Sequence, residues 1–179
     1  MQNYSYLDQA IPHEAGHIVV GMAVGIPIRG LDVYIMRSDG KPIIGDFATM
    51  SVEPRDEAFS AISANQLWAY KLSIAGGLAG NRVAEVPAAA EGLQNDRQKL
   101  ARVGPESLEQ IADCAVEIIR DRSQFFDRII ALIRERLLCL MAECSLETGR
   151  HPLLAPIDLV NALGHLTTDP ARKCQALAR

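Results

Sequence analysis

His13-Glu14-Ala15-Gly16-His17 places two imidazoles four residues apart, with a carboxylate beside the first. On a helix, positions i and i+4 lie one turn apart on one face, so two ring nitrogens can reach one ion. Glu14 is rotated by about 100° from His13. It is therefore poorly placed as a ligand from the same helix, but it can reach a water bound to the ion. That is the arrangement of a general base beside zinc-activated water. The pattern predicts a Zn2+ site with His13 and His17 as metal ligands and Glu14 as the catalytic residue.

A catalytic zinc takes three protein ligands and keeps a fourth position open. The extended form H-E-x-x-H-x-x-G-x-x-H would need glycine at 20 and histidine at 23, where this chain has Val20 and Ala23. The two other histidines, His151 and His165, stand near expected helix ends in the C-terminal part, where surface capping is the commoner role. Carboxylates are the remaining source. Two segments offer one: Gly80-Asn81-Arg82-Val83-Ala84-Glu85 and Gly92-Leu93-Gln94-Asn95-Asp96.

Taken together, these motifs resemble the peptidase domain of the FtsH-type ATP-dependent zinc metalloproteases. His-Glu-Ala-Gly-His matches the family form residue for residue. Gly80 to Glu85 is similar to the family's Gly-Gly-Arg-x-Ala-Glu, with Asn81 in place of the second glycine. Gly92 to Asp96 is similar to Gly-Ala-x-Asn-Asp, and the order and rough spacing fit across about residues 10–165. The resemblance implies a mainly helical metallopeptidase with zinc on His13, His17 and Asp96. It implies for Glu85 a supporting place near the metal, orienting an imidazole, with Glu85 as the runner-up ligand.

The departures shape the expected function. The family carries a membrane anchor and an ATPase module, and this chain has no Gly-x-x-x-x-Gly-Lys-Ser/Thr phosphate loop. It is expected to be an ATP-independent peptidase acting on flexible polypeptide, alone, as a homo-oligomer, or docked to a separate ATPase partner. Glu91 stands where the family has threonine, which bears on substrate choice. Two other functions compete: a regulatory peptidase with one dedicated protein target, and a catalytically silent zinc-binding interaction module. Glu14 speaks against the last, because a structural metal needs no unligated carboxylate beside it.

The elements that must position these residues follow from periodicity and turn signals. Ile11 to about Val24 reads as a helix with Pro12 in its first turn. One side carries Ala15, Ile18, Val19, Met22 and Ala23, and the opposite side carries the histidines. Leu31–Met36 and Ile43–Ser51 read as a hairpin across Arg37–Pro42, whose edge could pair with an extended substrate. A helix over about 64–86 contains Ala75-Gly76-Gly77-Leu78-Ala79-Gly80. Glycine costs about 1 kcal/mol each in a helix, so this stretch predicts close packing against the histidine helix. Further helices are expected over about 93–102, 107–120, 125–144 and 155–163, the last capped by Gly164, with Gly149 and Pro152 read as helix stops.

The fold class expected is therefore mainly α, with a small hairpin or sheet between the histidine helix and the third-ligand helix. The division expected is a zinc-binding catalytic part over 1–104, a helical part over 105–166 and a loose tail over 167–179. Hydrophobic residues make up 49% of the 179 and charged residues 22%, which excludes global disorder. A net charge of -4 argues against a general nucleic-acid binder. The longest apolar run, Ile18–Ile28, is far shorter than the ~20 residues that cross a bilayer, so no membrane insertion is expected. No signal peptide is visible, and the four cysteines form no C-x-x-C, so reduced thiols and a cytoplasmic location are expected. The runs 120–122 and 134–136 read as solvated helix faces.

Overall fold

The computed structural model describes residues 5–51, 62–142 and 146–163. Among them the chain is mainly helical, as the sequence predicts, with one small antiparallel sheet. The first helix, α1 (Tyr6–Ala23), begins five residues before the expected start. Its signal is a capping box: the Ser5 hydroxyl accepts the Asp8 N–H, and the Asp8 carboxylate accepts the Ser5 N–H at 3.0 Å. Pro12 thus lies inside the helix rather than in its first turn, and α1 forgoes one backbone bond there.

Strands β1 (Ile28–Ser38) and β2 (Lys41–Ser51) form the expected hairpin. Asp39 and Gly40 both take positive φ, 52° and 76°, the two-residue turn whose twist suits flanking strands. Leu31, Val33 and Ile35 point inward and are fully buried. A third strand, β3 (Gly149–Leu154), pairs with the other side of β1 to give the order β2-β1-β3. Gly149 and Pro152, read from sequence only as helix stops, belong to this strand. An edge strand tolerates proline because one row of its N–H groups has no partner strand.

Helix α2 (Ala64–Val83) is capped by Ser63 and Gln66. It stops three residues before the expected Val86 because the chain turns at Glu85, which has φ 56°. Helix α3 (Ala90–Ala101) starts three residues earlier than expected, which brings Glu91 and Gly92 into its first turn. Helices α4 (Leu108–Arg120) and α5 (Ser123–Met141) keep the predicted apolar faces. Ile111, Ala112, Ala115, Ile119, Ile129 and Ile133 are all buried. Helix α6 (Pro156–Leu163) closes the described chain. Gly164, His165, Cys144, Cys174 and the tail lie outside the described residues.

α1 packs on α2, α5, β2, α4 and β1. Burial on so many sides explains why it does not show one dry and one wet face. The glycine stretch of α2 does what its cost suggests. A methyl group on Gly16 would overlap the Gly76 carbonyl, and one on Gly80 would overlap the Pro12 carbonyl. The part beyond 104 is built into the same core, since α4 packs on α2 and β3 completes the sheet. Of the charged runs, Arg120 is exposed, but Arg122 is buried at the α4–α5 junction rather than solvated. No helix among the described residues is long and apolar enough to cross a membrane.

Candidate metal centre

α1 presents His13 and His17 one turn apart, α3 presents Asp96 from its second turn, and all three meet where α2 has Gly77. A side chain at 77 would overlap both imidazoles, and one at 92 would press on His13. Glycine at these two positions is therefore what lets α2 and α3 close around the rings.

The ligand atoms lie within 4.8 Å of one another. His13 Nε2 is 3.2 Å from His17 Nε2 and 3.4 Å from Asp96 Oδ2, and His17 Nε2 is 3.5 Å from Asp96 Oδ1. Two ligands about 2.0–2.1 Å from one ion at tetrahedral angles stand about 3.3–3.4 Å apart. The two imidazole nitrogens stand near that edge length, and each lies near it from one of the two Asp96 oxygens. Asp96 is 3% exposed, and its Oδ2 accepts no hydrogen bond from any of the described residues. A buried carboxylate oxygen with no donor is costly, and a cation shared with the two imidazoles removes that cost. A buried group of His13, His17 and Asp96 can thus hold a metal ion.

The outer ring nitrogens fix the rings. His17 Nδ1 faces the Ser73 carbonyl at 2.8 Å, an acceptor only, so that nitrogen carries the hydrogen. His13 Nδ1 faces Asn81 Oδ1 at 3.1 Å, and the Asn81 amide donates to the Gln9 carbonyl at 2.7 Å, which sets the oxygen toward the ring. Both Nε2 atoms are then directed at the common point. Burial works against charge on His17, but the Asp96 carboxylate outweighs it and raises the pKa to about 9. His13 is pushed down from its ordinary value by burial first and by the neighbouring charge on His17 second. In the metal-free centre the carboxylate therefore favours positive charge on His17 over His13.

Glu14 opens into a cleft of about 610 Å³ shared with these ligands. Its Oε2 accepts from both the N–H of Thr49, at 3.0 Å, and the Thr49 hydroxyl, at 2.5 Å. β2 forms one wall of the cleft with Asp46, Phe47, Ala48 and Thr49, and α3 forms another with Glu91, Asn95 and Lys99.

Of the residues predicted from sequence, the structure brings together His13, Glu14, His17 and Asp96. It does not bring Glu85 to them. Glu85 is exposed just past the end of α2, in the left-handed conformation, and does not line the cleft. The position that orients His13 is Asn81. His151 lies in β3 with its Nε2 on the Glu147 carbonyl, away from the centre. Sequence reasoning missed Asn81, Ser73 and Thr49. Only Asn81 carried a signal: a poor helix former in a helix interior, at the site where the resemblance has glycine. No family model matches the chain, and no curated protein matches it either.

Proposed function

We propose that this chain is a zinc-dependent peptidase that hydrolyses peptide bonds in flexible polypeptides without ATP, in the cytoplasm, in the manner of FtsH-type peptidase domains. The observation that carries the reading is the convergence of two oriented imidazoles and one buried carboxylate, an oxygen of which accepts no hydrogen bond from the described residues, on a cleft that also contains Glu14. Nitrogen and carboxylate donors of this kind suit zinc, which when bound supplies a Lewis acid able to lower the pKa of a water from 15.7 to about 7.

The chain's own residues do the rest. Asn81 and Ser73 hold the rings so that no reorganisation is needed on loading. Glu14 accepts a proton from the attacking water at Oε1, the oxygen not bonded to Thr49, and returns it to the leaving amine. Among the described residues β2 has a strand neighbour on one side only, so its cleft-facing edge can pair with the backbone of an extended peptide. Recognition through backbone groups makes flexibility, more than side-chain identity, the condition for cleavage.

The test is metal analysis of the purified chain followed by hydrolysis of casein. Cleavage that is lost with a chelator and in Glu14→Gln, with zinc still bound by the variant, is the expected outcome. Tight zinc binding with no hydrolysis of any polypeptide would instead favour the interaction module. Cleavage of one protein and not of casein would favour the dedicated regulatory peptidase.

A further inference from the structure

In an antiparallel pair, successive residues alternately turn their N–H and C=O groups toward the partner strand and away from it. Along β2, Phe47 and Thr49 stand opposite Val33 and Leu31. Their N–H groups do not bond β1. The Thr49 N–H donates to Glu14 Oε2 at 3.0 Å, and the Phe47 N–H donates to Asp46 Oδ1 at 2.8 Å. These two outward donors face the cleft, and a carboxylate already occupies each. Asp46 is set in place by a bulge, since the register with β1 shifts between Tyr34 and Ile35 and leaves Gly45 extra. The Tyr6 hydroxyl donates to the same Asp46 oxygen at 3.2 Å, and the Tyr6 ring stacks on Phe47.

We propose that the edge of β2 is capped by the chain's own carboxylates, and that Thr49 is a positioning residue coupling peptide pairing to Glu14. The proposal rests on the peptidase reading above. An extended peptide pairs by placing its carbonyls where the two carboxylates now lie. Donors two residues apart are about 6.7 Å apart, so the ligand must be a strand-like segment presenting two carbonyls at that spacing. A single amide cannot do this. Each donor exchanges one acceptor for another, and Asp46 moves to water. Thr49 gives up its N–H to the peptide but keeps its hydroxyl on Glu14 Oε2. The base is then held by one bond instead of two, free to turn between the water and the leaving amine while still aimed at the cleft.

Amide hydrogen exchange on the metal-free chain, resolved by NMR, tests the cap without any turnover. Glu14→Ala is expected to speed exchange at Thr49 about tenfold, and Asp46→Ala to do the same at Phe47. Ala48, turned toward β1, should not change in either variant. Glu14→Gln keeps an uncharged acceptor and should fall between wild type and Glu14→Ala at Thr49, which a general loosening would not produce. Unchanged exchange at Thr49 in Glu14→Ala overturns the cap. The coupling is read on the zinc-loaded enzyme with an extended peptide. Thr49→Val, close in shape, should lower kcat about tenfold with little change in KM, and Thr49→Ser should restore it. Equal kcat for Thr49→Val and wild type overturns the positioning role. A zinc-loaded wild type that hydrolyses no peptide sinks the peptidase reading instead, and the exchange rates still decide the cap.

Discussion

Asn81 ties the two helices of the metal centre together through one amide: its oxygen accepts from His13 Nδ1 at 3.1 Å, and its nitrogen donates to the Gln9 carbonyl at 2.7 Å. Gln9 sits one turn before His13 on α1, so the same side chain reads the backbone of that helix and the ring it carries. At 1% exposed, Asn81 has no water to replace either bond. Because the amide cannot flip without losing both, His13 is held in the tautomer that directs Nε2 at His17 and Asp96.

Asn81→Leu should therefore lower zinc affinity about 10–100-fold, the usual cost of removing a partner that orients a metal-binding imidazole. Glu85→Gln should leave the affinity unchanged, because Glu85 is exposed beyond the end of α2 and outside the cleft. Competition with a chromophoric chelator measures both. A larger loss in the Glu85 variant would return that residue to the centre.

The difference between these two residues shows what was legible in the sequence. The spacing of His13 and His17 states their geometry outright, because a helix fixes where i and i+4 point. Gly76, Gly77 and Gly80 are legible for a similar reason: glycine in a helix interior is a local loss that only close packing offsets. Asp96 is reached through the resemblance, since no rule of local geometry joins residues 17 and 96. Glu85 and Asn81 lie four residues apart near the end of one helix, and choosing between them requires knowing that α2 ends at Val83. The early start of α1 was written in Ser5 and Asp8, but a polar first turn gives no apolar period to follow. β3 was hidden because Pro152 reads as a stop unless its edge position is known. Thr49 reaches Glu14 across a sheet-to-helix contact, which no sequence pattern encodes.

Asp96→Asn separates the charge of this residue from its shape. The amide keeps the packing of α3, but it removes both a zinc ligand and the counter-charge of His17. Zinc affinity should fall by at least about a hundredfold. In the metal-free chain the pKa of His17 should drop from about 9 toward or below its ordinary 6.5, since burial then acts with little to oppose it. An NMR titration of the imidazole carbons reads this shift. Unchanged His17 titration, or tight zinc in the variant, would remove Asp96 from the centre.

The same charge sets how stability depends on pH. Folding raises His17 above its ordinary 6.5, so its contribution is complete below that pH and is lost as pH rises to about 9. His13 is held low, so it weighs against the folded state only as pH falls below 6.5. Between about 6.5 and 9, then, the metal-free chain should lose thermal stability as pH rises. Zinc needs the His17 proton removed, so the zinc-induced rise in Tm should grow over the same interval. Thermal scans at both ends of the interval, with and without zinc, check the sign. A zinc-induced rise that shrinks with pH would contradict the pairing of His17 with Asp96.

Two glycine substitutions should fail in different ways. At Gly16 the added methyl meets the backbone of Gly76 and Gly80, which cannot give without parting α1 from α2. Gly16→Ala should lower the unfolding free energy by about 3 kcal/mol, the upper part of the usual overpacking range. At Gly77 the nearest atoms belong to the imidazole rings of His13 and His17. Side chains can turn aside where backbone cannot, so Gly77→Ala should keep most of its stability without metal while losing zinc binding. Urea unfolding of both metal-free variants, paired with the chelator competition, distinguishes the two modes. Comparable unfolding losses with zinc affinity intact in Gly77→Ala would show that the rings do not meet against α2 as described.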